Sequence, residues 1–316
     1  MATSARVIGG SQAPAGGSPR SITVPGPAPR ICRGVVLEPR IPRGGRVHPA
    51  LLKAPGGGFP FGETPVCREE DDVSVDLLVV RQRAGERLER ADAKECAWLL
   101  LDGRAQVGAG QADGEQRAEL TRRSLFDERP SVGHVPAHTP VRLHAQEDTE
   151  WLLVRATNPR VFAPRIFLPA DTTSEPRGKG LVQDASLRVV RLVFDYDNRP
   201  ESQLVLGEVV NLAGRWSSYP PHHHGQPELY HYRFTKPQGY GHCELGDEVL
   251  KVKSHDTVKI VGGVDHPQVA APGYGMYYAW IVRHAENDPY RGFSFAPEHA
   301  WILEGKDAGW TPRELS

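Results

Sequence analysis

Apolar residues fall along this chain in short runs broken by Gly, Pro, Asp and Asn. No segment sustains the 3.6-residue apolar period of a long amphipathic helix. From about Leu51 the runs read as β-strands. "DVSVDLLVVRQRAGERL" predicts a strand from Val73 to Gln82 and a Gly turn. "CAWLLLDGRAQVGAG" predicts a strand, an Asp-Gly turn and a second strand, because Asp-Gly between apolar runs is a strong hairpin signal. "SVGHVPAHTPVRLHA" predicts strand, Pro turn, strand, and "TEWLLVRATN" closes the set. A polar stretch, "PADTTSEPRGKG", reads as a linker, and then the pattern recurs in "SLRVVRLVFDY", "QLVLGEVVNL", "ELYHYRFT", "GYGHCEL", "EVLKVK", "DTVKIVGG" and "GMYYAWIVRH". Two successive all-β units of similar size predict a duplicated barrel, with a first barrel over 47–170, a linker over 171–186 and a second barrel over 187–316. The closing "PEHAWILEGKDAGW" fits a short helix or a last strand equally.

Residues 1–46 differ in texture. They are rich in Gly, Pro, Ser, Ala and Arg, their first acid is Glu38, and they lack the apolar core of a secretory signal, so a disordered leader is expected. Over the whole chain, 38 basic residues nearly balance 39 acidic ones, which gives no reason to expect nucleic acid or an anionic membrane as partner. The longest apolar runs, such as "AWLLL", fall far short of the ~20 residues that span a bilayer. Cys32, Cys67, Cys96 and Cys243 lie far apart with no CxxC, which points to reduced thiols in a cytoplasmic protein. Gly (33) and Pro (28) are both abundant, as many turns between short strands require.

The chemistry concentrates in "WSSYPPHHHGQPELYHYRF". Side chains alternate faces along a strand, so His222 and His224 share one face and His223 turns away. Glu228 opens the next apolar segment, and "VKIVGGVDHPQV" places His266 just past a Gly262-Gly263 turn. Three imidazoles and one carboxylate suit a divalent metal such as Zn, Mn or Fe. The pair HxHxxxE and GxxH resembles the two motifs of the cupin superfamily, with His222, His224, Glu228 and His266 at the ligand positions. The first unit has no HxH, so it is expected to be a barrel without metal ligands. His48, His134, His138, His144 and His255 fall in turns without partner spacing and are expected to be structural.

A closer resemblance rests on "GRWSSYPPHHH", "ELYHYRF", "QGYGH", "GDEVLKV", "DHPQVAAPGYGMYYAWIVRH" and "PEHAW", which follow one another in that order, and on "EPRGKG" ahead of them. Together these resemble the 5-deoxy-glucuronate isomerase family of myo-inositol catabolism, related to the 4-deoxy-uronate ketol-isomerases. Four features depart from that family's pattern: Arg215 stands where Asn is usual, Gly225 where Asp is usual, the loop from His224 to Glu228 is short, and Gln183 to Arg188 stand where an Arg-Tyr run is usual. The resemblance implies an all-β bicupin of two double-stranded β-helix (jelly-roll) barrels with a metal site in the second. It implies an intramolecular oxidoreductase that converts 5-deoxy-glucuronate to 5-dehydro-2-deoxy-gluconate, working as a homo-oligomer on a small sugar acid. An Fe-dependent dioxygenase and a non-catalytic sugar- or metal-binding bicupin are the alternatives from the same ligand set.

Within that reading Glu248 matches an acid of the family's Asp-Glu pair and is a candidate acid or base. Strand alternation sets Tyr230 on the face of Glu228 and His231 on the other with Arg233. Tyr277 and Tyr278 point to opposite faces, so only one of them, for which Tyr278 is the candidate, faces the metal. A substrate carboxylate calls for a cation, most naturally a bidentate Arg, and Arg233, Arg215 and Arg283 are the candidates.

Overall fold

The computed structural model describes residues 47–111 and 114–314; the leader expected over 1–46, and Cys32 with it, lies outside the described residues. The short apolar runs form the strands of two successive antiparallel barrels, a bicupin. The first is built on the central strand Glu95–Ala109, flanked by Thr149–Ala156, Asp76–Gln82 and Gly62–Cys67 on one side and by Val132–Val135 and Arg165–Phe167 on the other. The second has a seven-stranded sheet in the order Leu51–Leu52, Thr257–Ile260, Glu228–Phe234, Met276–Arg283, Leu204–Asn211, Arg188–Phe194, Glu175–Arg177. Across its barrel lies a four-stranded sheet of Trp216–Ser217, Gln268–Ala270, Tyr240–Leu245 and Glu248–Lys253.

Three features differ from the pattern reading. The Asp-Gly hairpin is absent: Glu95–Ala109 is one strand of 15 residues. Its register on Thr149–Ala156 shifts between Leu100 and Asp102. Beyond that bulge it changes partners, to Gln116–Arg122 and Val141–Ala145. Gly103 sits at φ +97°, and a Cβ there would lie 2.1 Å from the Asp148 carbonyl oxygen. Asp-Gly therefore supplies a bulge that turns the barrel corner instead of reversing the chain. Within the stretch read as a linker, Glu175–Arg177 is a strand paired with Arg188–Phe194. His134 and His144, both expected in turns, lie in the strands Val132–Val135 and Val141–Ala145, and His134 is fully buried. The open chain end resolves as a 3-10 helix, Pro297–Glu304. No helix of the described residues is long and apolar enough to cross a membrane. Cys67, Cys96 and Cys243 are free and buried.

The uninterrupted apolar runs have a packing cause. Trp98 and Leu100 point into the first barrel's own core with Leu78, Val80 and Trp151. Their neighbours Ala97, Leu99 and Leu101 point the other way, into a core that also holds Phe194, Leu206, Leu229, Tyr277 and Ile281 of the second barrel. A strand buried on both faces has no polar alternation to show. Ion pairs cross the same seam. Arg122 grips Glu208 with two parallel hydrogen bonds of 2.6 and 2.8 Å, at 1% and 0% exposure, and Tyr277 donates to the same carboxylate at 2.7 Å. Arg233 pairs with Glu150 of the first barrel.

Candidate active site

The second barrel's inner face carries the site. On Glu228–Phe234 the residues Tyr230, Tyr232 and Phe234 point into the barrel core, and Glu228 continues that face to its mouth. The loop before this strand brings His224, and the loop after Thr257–Ile260 brings His266. The two loops meet closely: Gly263 N–H donates to the His224 carbonyl at 3.0 Å, and a Cβ on Gly262 would lie 2.8 Å from the Gly225 carbonyl oxygen. The Gly-Gly pair is what lets the second histidine loop lie against the first.

His224, Glu228 and His266 are buried, and one ligand atom from each lies within 4.8 Å of the others. His224 Nε2 is 3.2 Å and His266 Nε2 3.3 Å from the same oxygen, Glu228 Oε2. Metal bonds of about 2.0–2.2 Å at ordinary angles set neighbouring ligand atoms about 3.0–3.5 Å apart, so these separations fit a shared divalent cation. The tautomer fits too. His266 Nδ1 faces the Val264 carbonyl oxygen at 2.9 Å; a carbonyl only accepts, so Nδ1 carries the proton and Nε2 keeps a lone pair. That buried Nε2 makes no hydrogen bond of its own. His222 stands beside this group with its ring 4.8 Å from that of His266, stacked 4.1 Å from Phe293, its Nδ1 likewise turned to a carbonyl, that of Pro220. Burial would raise the Glu228 carboxyl, but the adjacent His224 and His266 outweigh it and hold it at about 2. Burial lowers His222 to about 3. At His266 the adjacent Glu228 outweighs burial and raises the imidazole.

Beside this group stand two tyrosines. Tyr230 and Tyr278 have ring centroids 4.4 Å apart. Tyr278 donates to Ser217 Oγ at 2.9 Å, and the Tyr230 and Ser218 hydroxyls lie 3.2 Å apart. The Ser-Ser of "WSSYPP" is thus the support that orients both phenols. Burial pushes Tyr278 up to about 12 and Tyr230 well above its ordinary value, so both are neutral hydroxyls at pH 7. They line a cavity of about 70 Å³ with His222, His224 and Glu228, closed on one side by Tyr290 and Phe293. A neighbouring cavity of about 190 Å³ continues it past Trp280 and Arg291.

A sequence model of the KduI/IolB family matches residues 62–302. The chain belongs to the KduI/IolB family. Among its members, a 5-deoxy-glucuronate isomerase of Geobacillus kaustophilus is 28% identical over 261 residues, covering 77% of this chain and 90% of that protein. A 5-deoxy-glucuronate isomerase of Lacticaseibacillus casei is 28% identical over 235 residues, covering 68% of this chain and 82% of that protein. The crystal structure of an IolB-like protein from Salmonella typhimurium superposes with a TM-score of 0.69 at 26% identity, over 78% of this chain and 97% of that one. An oxalate decarboxylase from Lactobacillus farciminis shares the fold, with a TM-score of 0.60 at 12% identity over 86% of this chain and 93% of that one.

Against this KduI/IolB framework the sequence candidates separate. The cavity brings together His222, His224, Glu228, Tyr230 and Tyr278, and His266 stands against that group. His231 and Arg233 lie on the opposite face, where His231 bonds Thr257 and Arg233. Tyr277 also faces away. Glu248 is not brought to the site: its side chain is 65% exposed and pairs with His48 at 2.5 Å, because it sits on the outer strand of the four-stranded sheet. Arg215 bonds the Gln183 carbonyl, and Arg283 bonds Gln203 and Thr157; neither lines the cavity. The arginines that do line it are Arg177 and Arg188, which the sequence reading passed over. Arg177 lies inside the quoted "EPRGKG", and that motif was the available signal.

Proposed function

We propose that this chain is a metal-dependent isomerase that interconverts an aldose and a ketose form of a sugar acid, with 5-deoxy-glucuronate as substrate and 5-dehydro-2-deoxy-gluconate as product. The observation that carries the reading is the convergence of the Nε2 atoms of two buried imidazoles, His224 and His266, on one Glu228 oxygen beside two neutral phenols. Names of relatives in the same family supply the substrate. His224, Glu228 and His266 would hold the cation, with His222 as the adjoining fourth ligand. A divalent cation there supplies Lewis acidity toward a carbonyl and its vicinal hydroxyl. Tyr230 and Tyr278 would each turn their single proton to one of those two substrate oxygens, with the Ser217 and Ser218 hydroxyls then donating to the phenols and keeping both rings in place. Burial among Trp280, Tyr290 and Phe293 keeps bulk water from the reacting carbons. The first barrel acts as a scaffold through the Arg122–Glu208 and Glu150–Arg233 pairs.

The test is isomerisation of 5-deoxy-glucuronate followed by product NMR, with protein stripped of metal and reloaded with Mn, Zn or Fe. Ketose should appear with at least one metal and none after stripping. Oxygen consumption without ketose under every metal would replace this reading with a dioxygenase.

A further inference from the structure

Arg177 and Arg188 are directly opposite residues of an antiparallel strand pair. Like charges at opposed positions repel, yet here both side chains line the cavity that holds His222 and Glu228. Among the described residues neither forms an ion pair with the Glu228 carboxylate that shares the cavity. Arg188 spends Nη1 on the Ser186 and Tyr219 carbonyls at 2.9 and 3.2 Å, and among the described residues no carboxylate pairs with it. Burial is the chief influence on its guanidinium and disfavours the charge, and Arg177 adds to that. Arg177 meets only Glu175, a residue of its own strand, at 3.2 Å and half exposed to solvent. Arg177 also borders the adjoining cavity, so it stands where the two cavities join.

A half-buried cation pair without an acid between its members is an anion site by charge and by geometry. We infer that Arg177 and Arg188 form a carboxylate subsite: they bind the acid end of the substrate while the imidazole–carboxylate group and Tyr230 and Tyr278 take its carbonyl end. This rests on the reading of the cavity as a sugar-acid site and names its specificity element. The pair would make the protein select uronates over neutral sugars of the same length. Arg188 also touches the Tyr219 carbonyl, beside the histidine loop. A purely supporting role there would affect acid and neutral ligands alike, and the test turns on that contrast.

The binding probe is D-glucuronate, with D-glucose as the neutral control, titrated by calorimetry into the Mn-loaded full chain. Wild type should bind glucuronate at least about 10-fold tighter than glucose. Arg188→Gln should lose about 10- to 100-fold in glucuronate affinity, Arg177→Gln less, and both should bind glucose as wild type does. Arg188→Lys, which keeps the charge but not the fork, should recover part of the loss. Near-UV circular dichroism and bound Mn report whether each variant is folded. Unchanged glucuronate affinity in both Gln variants overturns the inference. So does an equal loss for glucose, and so does a wild type that does not prefer the acid. Failure of the isomerase reading looks different: wild type would then not turn over 5-deoxy-glucuronate, while Arg188→Gln would still lose glucuronate binding.

Discussion

At the scale of single residues, function rests on who holds whom. Tyr278 is oriented by Ser217 and Tyr230 by Ser218. Removing the Tyr278 hydroxyl in Tyr278→Phe should lower kcat by about 100-fold with a small change in KM, as for loss of a positioned proton donor. Ser217→Ala should give a smaller loss in the same direction. Steady-state kinetics on the uronate check both, and a Tyr278→Phe enzyme at wild-type kcat would remove the tyrosine from the site's chemistry. His266 Nε2 is buried and without a hydrogen bond, and the proposed cation would engage it. Free Mn or Zn at 100 times its Kd should stabilise wild type by about 2.7 kcal/mol and leave His266→Ala little changed. Thermal unfolding with and without metal, together with metal content by mass spectrometry, measures this.

At the scale of elements, Gly103 decides whether Glu95–Ala109 is one strand or two. Its positive φ and the 2.1 Å approach of the Asp148 carbonyl leave no room for a Cβ. Gly103→Ala should therefore cost about 1–3 kcal/mol, against under 1 kcal/mol for Gly114→Ala, where nothing lies within 4 Å of the added atom. Urea unfolding midpoints of the two variants provide the comparison. Most strands were legible, because apolar runs and turn residues report them locally; Glu175–Arg177, which has no apolar run, was not. The Asp102-Gly103 hairpin was not, because a bulge and a reversal use the same two residues, and only the distant Asp148 backbone distinguishes them.

At the scale of the molecule, the two barrels share a core and a buried ion pair. Glu208→Ala would leave Arg122 buried, charged and without its partner, at a cost of about 3–5 kcal/mol. If chemical denaturation finds Glu208→Ala as stable as wild type, the pair does not lock the barrels. Acid should weaken the fold as well. Burial lowers His134 and drives His231 well below the ordinary histidine value, so each stays neutral when folded and takes a proton when unfolded. A folded pKa below the unfolded one means stability is full above about pH 6.5 and falls as pH drops, by up to about 1.4 kcal/mol per pH unit for each such group. Glu95 acts in the same direction at lower pH: burial would raise it, but bonds from His134 and Ser202 hold it down, so its contribution disappears as it protonates. Unfolding midpoints measured from pH 7.5 to 4.5 should fall throughout that range; a flat profile would mean the buried histidines are already protonated.

By itself the sequence determined most of the strand content and the doubling of the barrel, and it singled out the histidines and glutamate of the candidate site, because alternation and motif spacing are local properties. Tertiary structure decided which candidates meet. Glu248 and Arg233 had suitable chemistry but face an outer edge and the inter-barrel seam. Arg188 had no marked spacing and Arg177 only its place in "EPRGKG", yet antiparallel pairing sets them side by side at the cavity. A charge declares its type in sequence, whereas its neighbours across a sheet are fixed only by the register of strands distant in the chain.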